Sequence, residues 1–359
     1  MNKNKIIKIN KKSFTISDQI FFSQRLSLLL DSGISLVESL NLIKNIDSSI
    51  SHKRIYEIII SDIEKGVSLS KSIKNIDLKF NNLLIALIQN GESSGHLSIA
   101  LSQAYSFLDK KDEIKKKIIS SLVYPLFIVV ATIVMTLFLI LYIFPKIIPL
   151  LSSLNIKLPL MTRIVQWLYM FLSEQGLWLF LFVTLLIIVV NLLIKKIESL
   201  RYKYHFLIIS IPYISKYIKI NNMISVCRMG EMLLSSGKSL TSILLFYSQS
   251  NNNLVYKKIF NEIHIEVARG VSFSNSLNKH SNFFPITLID MCMIGEKTGN
   301  LSIMLGHSSK IFEQDIDNVL KRFSSLIEPV LMVLMGLIVG SIALSIILPV
   351  YEITNHLSK

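Results

Sequence analysis

NGESSGHLS, residues 90–98, returns at 294–302 as IGEKTGNLS, and the interval of 204 residues relates other motifs as well. LLLDSGISL (28–36) answers to MLLSSGKSL (232–240), and KGVSLSKSI (65–73) answers to RGVSFSNSL (269–277). Under that one offset Gly33 falls on Gly237, Gly66 on Gly270, Gly91 on Gly295 and Gly95 on Gly299. Phe80 falls on Phe284, Glu92 on Glu296, Pro125 on Pro329 and Pro145 on Pro349. An offset that holds without a gap over about 120 residues marks an internal repeat, and each copy then folds as one kind of unit.

Each copy reads as helical. Phe21, Phe22, Leu26, Leu29 and Leu30 form an apolar stripe at helical spacing, which Gly33 ends. Ser35 caps a helix over 36–46, and Ile55, Ile58, Ile59 and Ile63 carry another to Gly66. Ser68 is placed to cap the next short helix, and Asn81 or Asn82 to open one over 83–89 that Gly91 closes. From Leu97 a long helix runs straight into an apolar stretch. No alternation of β-branched residues with turn pairs marks a strand, so a bundle of about six helices is expected, twice.

Between the copies and after the second, charge disappears. Residues 118–145, 175–194 and 329–351 carry no Asp, Glu, Lys or Arg, and each window is long enough to cross a bilayer, which takes about 20 apolar residues. Over the 359 residues, 51% are hydrophobic and only 17% charged, against roughly 25% charged in soluble domains. The fold class is therefore an all-α membrane protein: two repeated cytoplasmic helical bundles and three transmembrane helices. Its segments are a basic start (1–17), the first bundle (18–121), a span (122–144), an outer connector (145–176), a span (177–194), the second bundle (195–325), a span (329–350) and an outer tail (351–359). Lysines and arginines set the orientation. Lys115, Lys116 and Lys117 precede the first span, Lys195, Lys196, Arg201 and Lys203 follow the second, and Lys321 and Arg322 precede the third. Both bundles and the N-terminus are expected in the cytoplasm. The start, MNKNKIIKINKK, is basic without a following apolar run and does not read as a signal peptide. The net charge of +14 suits a protein held against an anionic leaflet and its lipids.

Residue chemistry points away from catalysis. Gly295-Glu296-Lys297-Thr298 lacks the earlier glycine of a phosphate loop, and its carboxylate would repel phosphate. His52, His96, His205, His264, His280 and His307 are scattered, Cys227 and Cys292 form no CxxC, and no GxSxG occurs. Ionisable residues are missing from the spans, and nucleic-acid binding has no recognition module or aromatic interleaving to support it. That leaves Gly91, Glu92, Gly95, Gly295, Glu296 and Gly299 as the most specific polar motif. It reads either as a helix-to-helix turn, with the next helix starting near Ser94 or Thr298, or as a network or ion anchor at Glu92 and Glu296. Pro125 and Pro329 read as span-entry devices, and Gly336 and Gly340 as a GxxxG packing face.

The same motifs resemble the type II secretion system F family. FFSQRLSLLLDSGISLVESLNLI, KGVSLSKSI, NGESSGHL and the PLF of the first span carry the resemblance. RMGEMLLSSGKSLTSIL, RGVSFSNSL, MIGEKTGNL, EPVLMVLMGLIVG and LPVYEI repeat it. It implies a non-catalytic inner-membrane platform of type II secretion or type IV pilus assembly, with a periplasmic connector and tail. The implied partners are a cytoplasmic hexameric ATPase, pilin or pseudopilin subunits and other inner-membrane assembly proteins, with a homo-oligomeric state. It also implies calcium on the first cytoplasmic domain in some members, whose ligands fall by motif position on Glu38, Glu92 and His96. No other cofactor is implied. A small oligomeric transporter or channel is the competing reading, because repeats are common in those proteins.

Overall fold

A computed structural model describes residues 14–76, 80–146, 149, 160–211 and 214–357. Most of the basic start, residues 147–148 and 150–159 of the outer connector and the end of the tail lie outside the described residues. Among the described residues the chain is helical and has no strand. The first copy comprises α1 (Ile16–Asp31), α2 (Leu36–Ile46), α3 (Ile50–Glu64), α4 (Leu69–Asn75), α5 (Asn82–Ser94) and α6 (Leu97–Phe138). A π-helical turn, Leu139–Ile143, extends α6. Next come α7 (Leu160–Lys196) and α8 (Glu198–Ser210). The second copy comprises α9 (Ile214–Ser235), α10 (Leu240–Ser250), α11 (Leu254–Ala268), α12 (Phe273–Asn278), α13 (Ile286–Thr298) and α14 (Leu301–Leu357). The bounds of α2, α3 and α5 recur in α10, α11 and α13 at the 204-residue offset.

Local chemistry explains the stops. Gly33 has φ +82°, Gly33 N–H donates to the Leu30 carbonyl, and Ile34 N–H reaches back to Leu29, which closes α1 in a Schellman turn. Ser35 accepts from Glu38 N–H at the start of α2, and Asn81 accepts from Leu83 N–H at the start of α5. Ser68 stands at the cap of α4 but makes no side-chain capping bond, contrary to the sequence expectation. Gly91 does not end α5. That helix continues to Ser94, and Gly95, at φ +74°, ends it.

The chain forms two compact units. One comprises residues 1–117 with 216–316, so it holds both copies; the other comprises 118–215 with 317–359. In the first unit the two cores repeat position by position. Leu40, Ile55, Ile59 and Ile73 are buried, as are Leu244, Ile259, Ile263 and Leu277 at the same offset. Volume is traded between copies: Leu108 becomes Phe312 and Ile88 becomes Cys292, all buried.

In the second unit the apolar parts of α6, α7 and α14 are long enough to cross a membrane, and most of their large side chains are exposed, as lipid contact requires. Ile140, Phe144, Val165 and Ile342 form a small buried cluster, beside which Thr162 Oγ1 donates to the Ser345 carbonyl at 2.9 Å. Pro125 and Pro329 do not sit in a first helical turn, as expected for entry devices. Each lies deep inside a continuous helix, α6 for Pro125 and α14 for Pro329. Among the described residues, no atom beyond the helix's own neighbouring backbone lies within 4 Å of a Cβ built on Gly336 or Gly340. Residues 195–215, read from sequence as part of the second bundle, cluster with the spans instead.

Candidate functional site

The GESSG and GEKTG motifs are the last turns of α5 and α13. The next helices start at Leu97 and Leu301, three residues beyond Ser94 and Thr298, where the sequence placed them. Glu92 folds back onto α4. Its carboxylate accepts from Leu69 N–H, from Ser70 N–H at 3.2 Å and from the Ser70 hydroxyl. Glu296 accepts from Phe273 N–H, from Ser274 N–H at 3.1 Å and from the Ser274 hydroxyl. The first N–H groups of a helix have no partner within it, and they carry the positive end of its dipole. A carboxylate delivered from 22–23 residues away therefore does what Ser68 does not. Beneath the second clasp Cys292 is buried, and burial first, then the charge of Glu296, pushes its thiol up.

Glycine serves the other side of the same turn. A Cβ on Gly91 would lie 2.5 Å from Ala100 Cβ and 3.0 Å from Leu97 Cα. On Gly295 it would lie 2.8 Å from Leu301 Cα. Each motif thus ties three helices: glutamate holds the preceding short helix, and glycine lets the following long helix cross closely. The motif is both a helix-to-helix turn and the source of a carboxylate bonded to the short helix before it. Gly95 and Gly299 complete it by supplying the left-handed residue that ends the helix.

The implied calcium ligands do not assemble. Among the described residues no group of three His, Cys, Asp or Glu side chains is placed to hold a metal ion, so Glu38, Glu92 and His96 do not converge. Glu92 already spends its oxygens on α4, Glu38 is exposed in the first turn of α2, and imidazole is a poor calcium ligand beside oxygen donors. These residues do not fit the ion.

Sequence reading missed the junction between the two copies. Lys110 of α6, in the first copy, reaches Glu313 Oε2 of α14 at 3.6 Å, and within the second copy Arg228 Nε of α9 donates to the other oxygen, Oε1, at 2.6 Å. Asn90 Nδ2 donates to the Ser236 carbonyl. Inside the second copy Glu231 lies against Gly306, where a Cβ would strike its carboxylate. One signal was available: Arg228 and Glu231 are the only charges between Ile220 and Gly237. A cleft of about 520 Å³ opens between the copies, lined by Asn81, Asn82, Lys111, Asn221, Asn252 and Phe246 among others.

Fold and motif together define an α-helical, multi-span membrane protein built on a duplicated bundle, each copy locked by a glutamate clasp. The sequence model of the type II secretion system protein F family matches residues 22–145 and again 228–349, one match per copy, and the chain belongs to that family. It is 26% identical to the type IV pilus assembly protein TapC of Aeromonas hydrophila, over 94% of this chain and 81% of that protein. The figure is also 26% against the type IV pilus assembly protein PilC of Thermus thermophilus, over 96% of this chain and 84% of that protein. Against the type II secretion system protein F of Vibrio cholerae it is 23%, over 97% and 86%.

Proposed function

We propose that this protein is the inner-membrane platform of a type IV pilus or type II secretion machine, and that it acts without catalysis. The observation that carries the reading is the double family match, one on each bundle together with the span after it. In this reading both bundles face the cytoplasm and receive a hexameric ATPase, and the spans meet pilin-like subunits and other inner-membrane assembly proteins. α6 and α14 each carry the chain from a clasped bundle into a span without a helical break at the boundary, which suits parts that must move together. Full-length protein captured from its own membranes should bring down a hexameric ATPase. Deletion of its gene should abolish extracellular filaments or secreted substrate, and the wild-type chain should restore them. ATP hydrolysis by the chain freed of that ATPase, or normal filaments and secretion in the deletion strain, would sink the reading.

A further inference from the structure

α8 is a short helix placed at the exit of a span. α7 ends on Lys195 and Lys196, Ile197 leaves helical geometry at φ −104° and ψ 110°, and α8 begins at Glu198. Leu200, Tyr204 and Leu207 succeed one another at i, i+4 and i+7, so they share one face of α8, and Ile211, its C-cap, follows at i+11. All four are open, with 40%, 44%, 64% and 45% of their surface exposed. On the helical wheel Arg201 and Lys203 flank this stripe on its two sides. A soluble bundle would bury such a stripe; in α8 only Ile209, on the opposite face, is buried.

We propose that the open face of α8 seats in the headgroup layer of an anionic membrane, as an interfacial helix at the exit of the second span. Two features select lipid over a protein partner. The stripe begins four residues after α7 ends, so it continues the exposed apolar surface of a span that already meets lipid. Charge is complementary too: Lys195, Lys196, Arg201 and Lys203 surround the stripe against the single acid Glu198. Lysine and arginine stems lie along apolar surface while their heads reach phosphate, and an apolar face of this kind sinks about 5–10 Å into the headgroup boundary.

A nitroxide label tests this in the full-length chain reconstituted into phosphatidylcholine vesicles with and without phosphatidylglycerol. Cys227 and Cys292 are buried, and burial pushes both thiols up, so an introduced cysteine takes the label. Labels at Tyr204→Cys and Leu207→Cys should collide with oxygen and be shielded from a water-soluble nickel chelate, while a label at Glu57→Cys on α3 should meet the chelate freely. Phosphatidylglycerol should drive the two α8 labels deeper, and Arg201→Gln with Lys203→Gln should remove that dependence. Three results would overturn the proposal: chelate access at 204 and 207 equal to that at 57, shielding from both reagents as under a protein partner or second copy, or a depth indifferent to anionic lipid.

Discussion

At the scale of single residues, the clasp is a division of labour between Gly91 and Glu92. Removing the carboxylate in Glu92→Ala leaves the Leu69 and Ser70 N–H groups in a part-buried setting without their acceptor. Leaving such donors unmade costs about 1–3 kcal/mol. Thermal unfolding of the purified full chain should show a clear fall in midpoint for Glu92→Ala and a smaller one for Glu92→Gln, which keeps a neutral acceptor; an unchanged midpoint for Glu92→Ala would deny the clasp a structural role. Gly91→Ala acts differently, by overpacking against Ala100 Cβ at 2.5 Å. A loss of about 1–3 kcal/mol is expected, and Ala100→Gly in the same chain should recover part of it, since Leu97 Cα at 3.0 Å still resists. Gly95→Ala meets nothing within 4 Å and suffers only from its left-handed backbone, so Ala100→Gly should not rescue it.

At the scale of elements, charge carried on long helices ties α9 to α14 within the second copy and α6 of the first copy to α14. Glu313 of α14 is shared by Arg228 and Lys110, and the two pairs differ in geometry: 2.6 Å through Nε for arginine against 3.6 Å for lysine. Arg228 and Glu313 are both largely covered, at 16% and 15% side-chain exposure, so solvent screens their pair only in part. A double-mutant cycle on stability with Arg228→Ala and Glu313→Ala should return a coupling of about 1.5–3 kcal/mol. The corresponding cycle for Lys110 and Glu313 should return less than about 1 kcal/mol, because Lys110 also serves Glu113 at 2.7 Å and is more open to water. Equal couplings would mean that the arginine contact is no more than a surface pair.

At the scale of the whole molecule, the basic residues flanking the spans govern orientation. Reporter fusions after Lys117 and after Lys321 should give cytoplasmic signals, and fusions at Ser153 and after Lys359 should give signals from the far side of the membrane. A cytoplasmic signal at Ser153 would remove the return span that brings the second copy back beside the first.

Patterns local in the chain were legible without coordinates. The 204-residue offset, the charge-free windows and the glycine stops are statements about consecutive residues, and a helix depends mainly on its own neighbours for caps, stops and its apolar face. They yielded the two helical copies and the three spans. Three things depended on residues far apart. The acceptor for the first turn of α4 comes from Glu92, 22–23 residues on, and sequence offered the adjacent Ser68 instead. Gly91 looked like a stop because glycine ends helices, whereas its meaning here is the approach of Ala100, which only the crossing of α5 and α6 creates. The union of Arg228, Lys110 and Glu313 joins both copies, and no local period encodes it. Sequence by itself determined which segments are helices and which of them are apolar enough to leave water. Tertiary structure decided which polar groups meet, because a buried N–H or a half-covered charge takes whatever partner packing delivers, at any distance along the chain.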